Sequence, residues 1–145
     1  MRDMLFQSKS KTFSKEAMWN RMITLEDYPK WWKFCKSVTY TEIKEGAIYY
    51  DVTTLLWIPI KIKHIVTKIK PYEELGLFLT LPFVGRMWFT LDFKQQGKDA
   101  MMNTEIKFDL GNKFYNATVG YVLEKRWEDL MLNIFTTDEE IKRLQ

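Results

Sequence analysis

The chain holds one cysteine, Cys35, and one histidine, His64, in 145 residues. A lone cysteine excludes an internal disulfide framework and a cysteine-rich zinc site, and it suits a reducing compartment. A lone histidine excludes a metal centre built on a histidine pair. Neither a metal nor a cofactor is expected. Long apolar runs are also missing. The longest, 75–84, is interrupted by Thr80 and Pro82 and falls short of the roughly 18 residues that cross a bilayer. Met1-Arg2-Asp3 puts an acid where a signal peptide would be basic, and no cleavable apolar stretch follows. A cytoplasmic protein is the expectation. Charge of either sign is close to balanced, with 22 Lys and Arg against 19 Asp and Glu. Lys61, Lys63, Lys68 and Lys70 make one segment locally basic, but Glu73 and Glu74 dilute it, so no nucleic acid is expected.

What the chain has in excess is aromatic. Phe, Tyr and Trp make up 16% of it, as 10, 7 and 6 residues, beside 8 Met. A single domain of this length, spanning 1–145 with no repeat, linker or low-complexity tract, can hardly bury so many rings in a solid core. Some should line a cavity or meet a partner.

Periodicity orders the elements. Loose alternation over 4–11 reads as a half-buried strand. Ser14 can cap a helix, with Phe13 and Met18 spaced as a hydrophobic staple, and Met18, Trp19, Met22 and Ile23 form its apolar stripe. A second short helix starts near Asp27, tolerates Pro29 in its first turn, and carries Trp31, Trp32 and Phe34. Strands are then expected over 38–44, 47–57, 60–70, 75–81, 87–93 and 102–110, joined by short turns as an antiparallel meander. Within 60–70, Ile60 and Ile62 put even positions inward while Ile65 and Ile69 put odd positions inward. Either a bulge separates them or the strand is buried on both sides. From Asn112 to about Phe135, Val119, Leu123, Trp127, Leu130 and Ile134 share one face of a long helix, with Glu124, Lys125, Glu128 and Asp129 opposite. The segment 136–138 ends that helix, and Asp138 can cap a short polar tail helix.

The fold class expected is α+β: a seven-stranded curved antiparallel sheet wrapped around a long C-terminal helix, with two short helices after the first strand. One helix about 10 Å across leaves much of such a concave face uncovered. The remaining volume is filled by large side chains or left as a pocket.

This order of elements resembles the START-like helix-grip superfamily of polyketide cyclases, lipid-transfer domains and birch-pollen-allergen relatives. Within it the chain looks most like the polyketide cyclase/dehydrase and coenzyme Q-binding group. The residues that carry the likeness are Ala17-Met18-Trp19, Tyr28-Pro29-Lys30-Trp31, the segment 85–93 with Trp88, and the closing helix over 114–135. The resemblance implies a cavity between helix and sheet that holds a hydrophobic small molecule. It leaves the activity open, because members range from carriers to cyclases and hydrolases.

Alternation places Tyr50, Val52, Thr54, Leu77, Leu79, Phe89, Thr104 and Ile106 inward on the strands, and Asn116, Val119, Gly120, Leu123 and Trp127 on the facing side of the helix. Each is a core residue or a ligand contact. A helix-interior glycine costs about 1 kcal/mol against alanine, so Gly120 either admits a close approach of the sheet or leaves room for a ligand. Asn116, Tyr121, Tyr50 and Thr104 can anchor a polar group. Histidine is the residue type that ordinarily titrates near neutrality, so His64 is the one candidate general base, though its face is undecided. Asp92, Asp109, Glu105 and Arg86 read as solvated surface. Cys35 lacks an activating partner and reads as an inert thiol. Trp31, Trp32 and Phe34 form either a mouth that meets lipid, giving transient membrane contact, or part of the core.

The leading expectation is therefore a non-catalytic protein that binds or transports a lipid, polyketide or isoprenoid-like molecule. The alternatives are a cyclase, dehydratase or hydrolase that uses His64 with a tyrosine or Asn116, and a protein-interaction module whose cavity is collapsed. The sequence is silent on oligomeric state.

Overall fold

A computed structural model describes residues 2–10, 13–31, 35–39, 42–55, 58–81, 85–133 and 139–143. Strand β1 (Arg2–Ser10) precedes helix α1 (Lys15–Ile23). The Ser14 hydroxyl accepts a hydrogen bond from the Ala17 amide at 3.1 Å, the cap that the sequence anticipates. A 3-10 turn over Leu25–Asp27 runs directly into the short helix α2 (Tyr28–Trp31). Six strands follow: β2 (Cys35–Thr39), β3 (Ile48–Leu55), β4 (Ile58–Lys70), β5 (Glu74–Leu81), β6 (Gly85–Gln96) and β7 (Asp99–Asp109). Helices α3 (Lys113–Ala117) and α4 (Val119–Asn133) and strand β8 (Glu139–Arg143) complete the order.

The strands form one antiparallel sheet in the order β2-β3-β4-β5-β6-β7-β1-β8. One face of it makes the core. Tyr49, His64, Leu79, Met87 and Phe108 succeed each other across the strands by direct pairing, and Val66, Leu77, Phe89, Ile106 and Met4 form the adjacent row. All ten are buried. Met18, Trp19 and Met22 of α1 join this core, with the Trp19 ring edge-on to Phe93 at 5.4 Å.

The parity conflict in β4 resolves as a bulge. Val66 pairs with Leu77 and Lys68 with Gly76, so Thr67 is the extra residue. The shift lets Ile62 and Val66 face inward on one side of it and Ile69 pair with inward Leu75 on the other. Gly76 fits this bulge because a Cβ there would sit 2.8 Å from the Thr67 hydroxyl. Gly85 is more tightly held, with φ of +111° and a Cβ position only 2.1 Å from the Asp109 carbonyl oxygen.

Three expectations are corrected. Strand β2 ends at Thr39 instead of continuing to 44, because residues 44–47 make a turn in which the Ala47 amide bonds the Lys44 carbonyl at 3.0 Å. The closing helix is two pieces. At Thr118 the hydroxyl bonds the Phe114 carbonyl at 2.8 Å, and Thr118, Val119 and Gly120 in succession are weak helix formers. The tail forms β8 on the edge of β1 rather than a polar helix, which pairs backbone groups that β1 would leave open. Trp32, Phe34, Trp57, the turn after Leu81 and the end expected for the long helix lie outside the described residues, as do the side chains of Trp31 and Trp127.

Candidate functional site

The site starts from the β3–β4 hairpin. Only two residues separate Leu55 from Ile58, and that connection pairs Tyr49 with His64 and Asp51 with Ile62. Side chains two apart on a strand share a face, so Tyr49, Asp51 and Thr53 point to the same side as Ile62 and His64. That side is the core side, since Tyr49, Thr53, Ile62 and His64 are all buried. A charged residue is thereby held inside the cup.

Asp51 is provided for. One carboxylate oxygen lies 2.5 Å from Nε2 of His64, and the other accepts from the Thr53 hydroxyl at 2.8 Å. The Asp51 and His64 side chains are 13% and 9% exposed. A carboxylate has no hydrogen to donate, so Nε2 carries the proton of this bond, and in the neutral ring that tautomer leaves the lone pair on Nδ1. The Tyr49 ring stacks on the imidazole at 4.5 Å and within 8° of parallel. Nδ1 itself is buried and has no hydrogen-bond partner among the described residues.

The elements around α2 and β2 close on the same carboxylate. Burial and then the negative charge of Asp51 push the Cys35 thiol up to about 12. Burial first, followed by Asp51, raises the Tyr28 phenol above its ordinary range, and its hydroxyl donates to the Met22 carbonyl at 2.7 Å. Tyr49 is raised for the same leading reason, burial, with Tyr28 and Asp51 adding to it. At neutral pH these three groups stay protonated. Cys35 is accordingly a poor nucleophile, as expected.

Two further polar atoms on the concave face lack partners among the described residues: the Ser8 and Thr104 hydroxyl oxygens. Their residues are 0% and 1% exposed. They lie among Phe6, Leu91, Met102 and Ile106, so the face is apolar except for a few isolated polar points.

Leu77, Leu79, Phe89, Thr104, Ile106 and Leu123 are buried with the core, and so is Gly120 on α4. Asn116 on α3 is half-buried, and its carbonyl oxygen receives the Leu110 amide at 3.4 Å. Val119 is partly buried against the core, whereas Tyr121 is exposed. Tyr50, Val52 and Thr54 are off by one position. They occupy the other face, where the Lys61 ammonium lies 4.8 Å from the Tyr50 ring centre. Their places inside are taken by Tyr49, Asp51 and Thr53, which the alternation does not single out.

The outer face is different in kind. A hollow of about 260 Å³ there is lined by Leu5, Thr90, Asp92, Asn103 and Glu105 among others. Lys68 and Lys70 pair with Glu74 and Glu73, leaving that stretch less basic than its sequence. Among the described residues no cluster of His, Cys, Asp and Glu could hold a metal ion, and no helix is long and apolar enough to cross a membrane.

Solved structures share this fold over most of the chain. The Zhui aromatase/cyclase from Streptomyces superposes with a TM-score of 0.76 at 10% identity, over 92% of this chain and 90% of that one. This is the START-like helix-grip fold. A START superfamily protein from Mycobacterium smegmatis matches with a TM-score of 0.68 at 11% identity, covering 92% and 97% of the two chains. Ginseng major latex-like protein 151 from Panax ginseng gives 0.69 at 11% identity, over 90% and 95%. No family model matches the chain, and no curated protein matches it in sequence. At such identities the likeness concerns the helix-grip frame and leaves the choice of ligand to the residues inside it.

Proposed function

We propose that the chain binds a hydrophobic small molecule of lipid, polyketide or isoprenoid type between the concave face of the sheet and helix α4, and carries it. The observation that carries this reading is the set of polar atoms without a partner among the described residues, Ser8 Oγ, Thr104 Oγ1 and His64 Nδ1, on a largely apolar face. A buried polar atom without a hydrogen bond costs about 1–3 kcal/mol, and a core made only for stability has no use for three of them. A pocket does, because apolar ligand sites use a small number of polar points to fix orientation. The helix-grip frame supports the same reading.

Loading such a ligand involves contact with a membrane surface in this proposal. Phe114, Tyr115 and Tyr121 are 70%, 41% and 56% exposed on α3 and the start of α4. Lys113 beside them is exposed, and Lys125, which also meets Glu128 at 3.4 Å, lies near the Tyr121 ring, so the patch combines apolar rings with some positive charge toward anionic headgroups.

Native mass spectrometry of protein extracted from cells, together with titration by a hydrophobic fluorescent dye, tests the function. A co-purifying lipophilic molecule, or saturable dye uptake, is the expected result. Absence of both would end the proposal.

A further inference from the structure

The pairing of Asp51 with His64 goes further than binding requires. Two buried ionisable groups cost more than an apolar pair of the same shape unless something else needs them. Here the pair is supported on one side and open on the other. Thr53 and His64 occupy both Asp51 oxygens, Tyr49 fixes the plane of the ring, and Nδ1 is buried with no hydrogen-bond partner among the described residues.

We propose that His64 and Asp51 form a proton-transfer pair, in which His64 Nδ1 acts as a general base on the ligand in the pocket and Asp51 positions it. The inference rests on the ligand-binding reading above. It names the ligand class as a hydrophobic molecule with an acidic hydrogen, such as a C–H beside a carbonyl. In the step proposed, Nδ1 takes that proton, and the C–H electron pair moves into a new C=C bond as the carbonyl becomes an enolate. The imidazolium that forms keeps its Nε2–H on the Asp51 carboxylate. Return of the proton from Nδ1 to another atom of the enolate regenerates His64, and nothing is oxidised or reduced. Asp51 does not touch the ligand; it acts by holding the tautomer and stabilising the charged ring.

Nitrobenzisoxazole is a suitable probe, being flat, apolar and chromogenic on opening. A base removes its C–H proton, the electron pair forms the nitrile, the N–O bond breaks, and a coloured cyanophenolate is released. The wild-type protein should open it with saturation kinetics, on the order of a hundredfold above the same concentration of free imidazole. His64→Gln should lose at least about tenfold in kcat while circular dichroism shows the fold retained. Asp51→Asn should lower kcat with KM nearly unchanged, which a merely structural loss would not do. If His64→Gln fails to fold, the Asp51→Asn split decides. Dye uptake by the wild-type protein with ring opening at the buffer rate, or full activity in His64→Gln, would overturn the proton-transfer pair and leave the binding reading standing. Failure of the wild-type protein to take up any dye, together with no co-purifying lipophilic molecule, would overturn both.

Discussion

The Tyr49 and His64 rings face each other across neighbouring strands, 4.5 Å apart and nearly parallel. The contact sets the plane of the imidazole, so Nδ1 and Nε2 keep their directions without a second hydrogen bond. Such aromatic pairs contribute about 0.5–1.5 kcal/mol beyond their buried area. Tyr49→Leu should therefore lower stability by about 1–3 kcal/mol in urea unfolding, and His64 should gain ring mobility visible in its side-chain NMR line widths.

Thr104 offers a separation of stability from binding. Its hydroxyl is buried among apolar neighbours with no partner among the described residues. Thr104→Val removes that unsatisfied group at nearly equal volume, so the ligand-free protein should be as stable as before or firmer by about 1 kcal/mol. Affinity for a dye or ligand that carries a polar group should fall about three- to tenfold, as one lost hydrogen bond implies. Paired unfolding and titration experiments check both arms.

Alkaline pH should loosen the fold. Cys35, Tyr28 and Tyr49 all have raised folded-state values, mainly through burial. An unfolded chain releases the thiol proton near pH 9, while the folded chain holds it to about 12. Between these values the unfolded state binds fewer protons, so stability is complete below about pH 9 and falls as pH rises. The tyrosines extend the decline above pH 10. Urea midpoints measured from pH 8 to 11 should drop steadily, and Cys35→Ala with Tyr28→Phe should flatten the curve.

Gly85 should tolerate no side chain. Its φ of +111° strains any L-residue, and a Cβ would meet the Asp109 carbonyl at 2.1 Å, an atom fixed by strand pairing. Adding about 1–3 kcal/mol for backbone strain to a similar cost for overpacking, Gly85→Ala should lose about 3 kcal/mol or more. Thermal and urea unfolding measure it directly.

The aromatic patch on α3 and α4 should govern contact with membranes. Phe114→Ser combined with Tyr121→Ser removes exposed rings that support little of the core. Sedimentation with vesicles of phosphatidylcholine and phosphatidylserine should fall at least about fivefold, with circular dichroism unchanged. Equal sedimentation of the double variant and wild type would remove this surface from the proposal.

Much of the frame was legible because alternation and turn residues report it directly. Leu75, Leu77, Leu79 and Leu81, like Met87, Phe89, Leu91 and Phe93, sit inward as their period implies. The β4 bulge was visible as a conflict between Ile62 and Ile69. The inner face of β3 was not legible, and the reason is physical. Tyr49 and Tyr50 both suit a strand interior, and a lone acid such as Asp51 reads as solvent-facing unless a partner for it is known. That partner sits in the neighbouring strand, and a two-residue connection between Leu55 and Ile58 is the one signal that would have put Asp51 beside His64. The tail strand escaped because pairing to β1 is long-range, and nothing local in 139–143 announces it.

The extra residue at Thr67 divides β4 into two lengths with separate bookkeeping of in and out. The length that holds His64 takes its register from β3, and the length beyond takes it from the turn at Pro71. Gains or losses of a residue near 67–74 can be absorbed there without turning His64 away from Asp51. The bulge thus works as an expansion joint: the outer rim of the sheet is free to drift in length and sequence while the polar pair keeps its alignment.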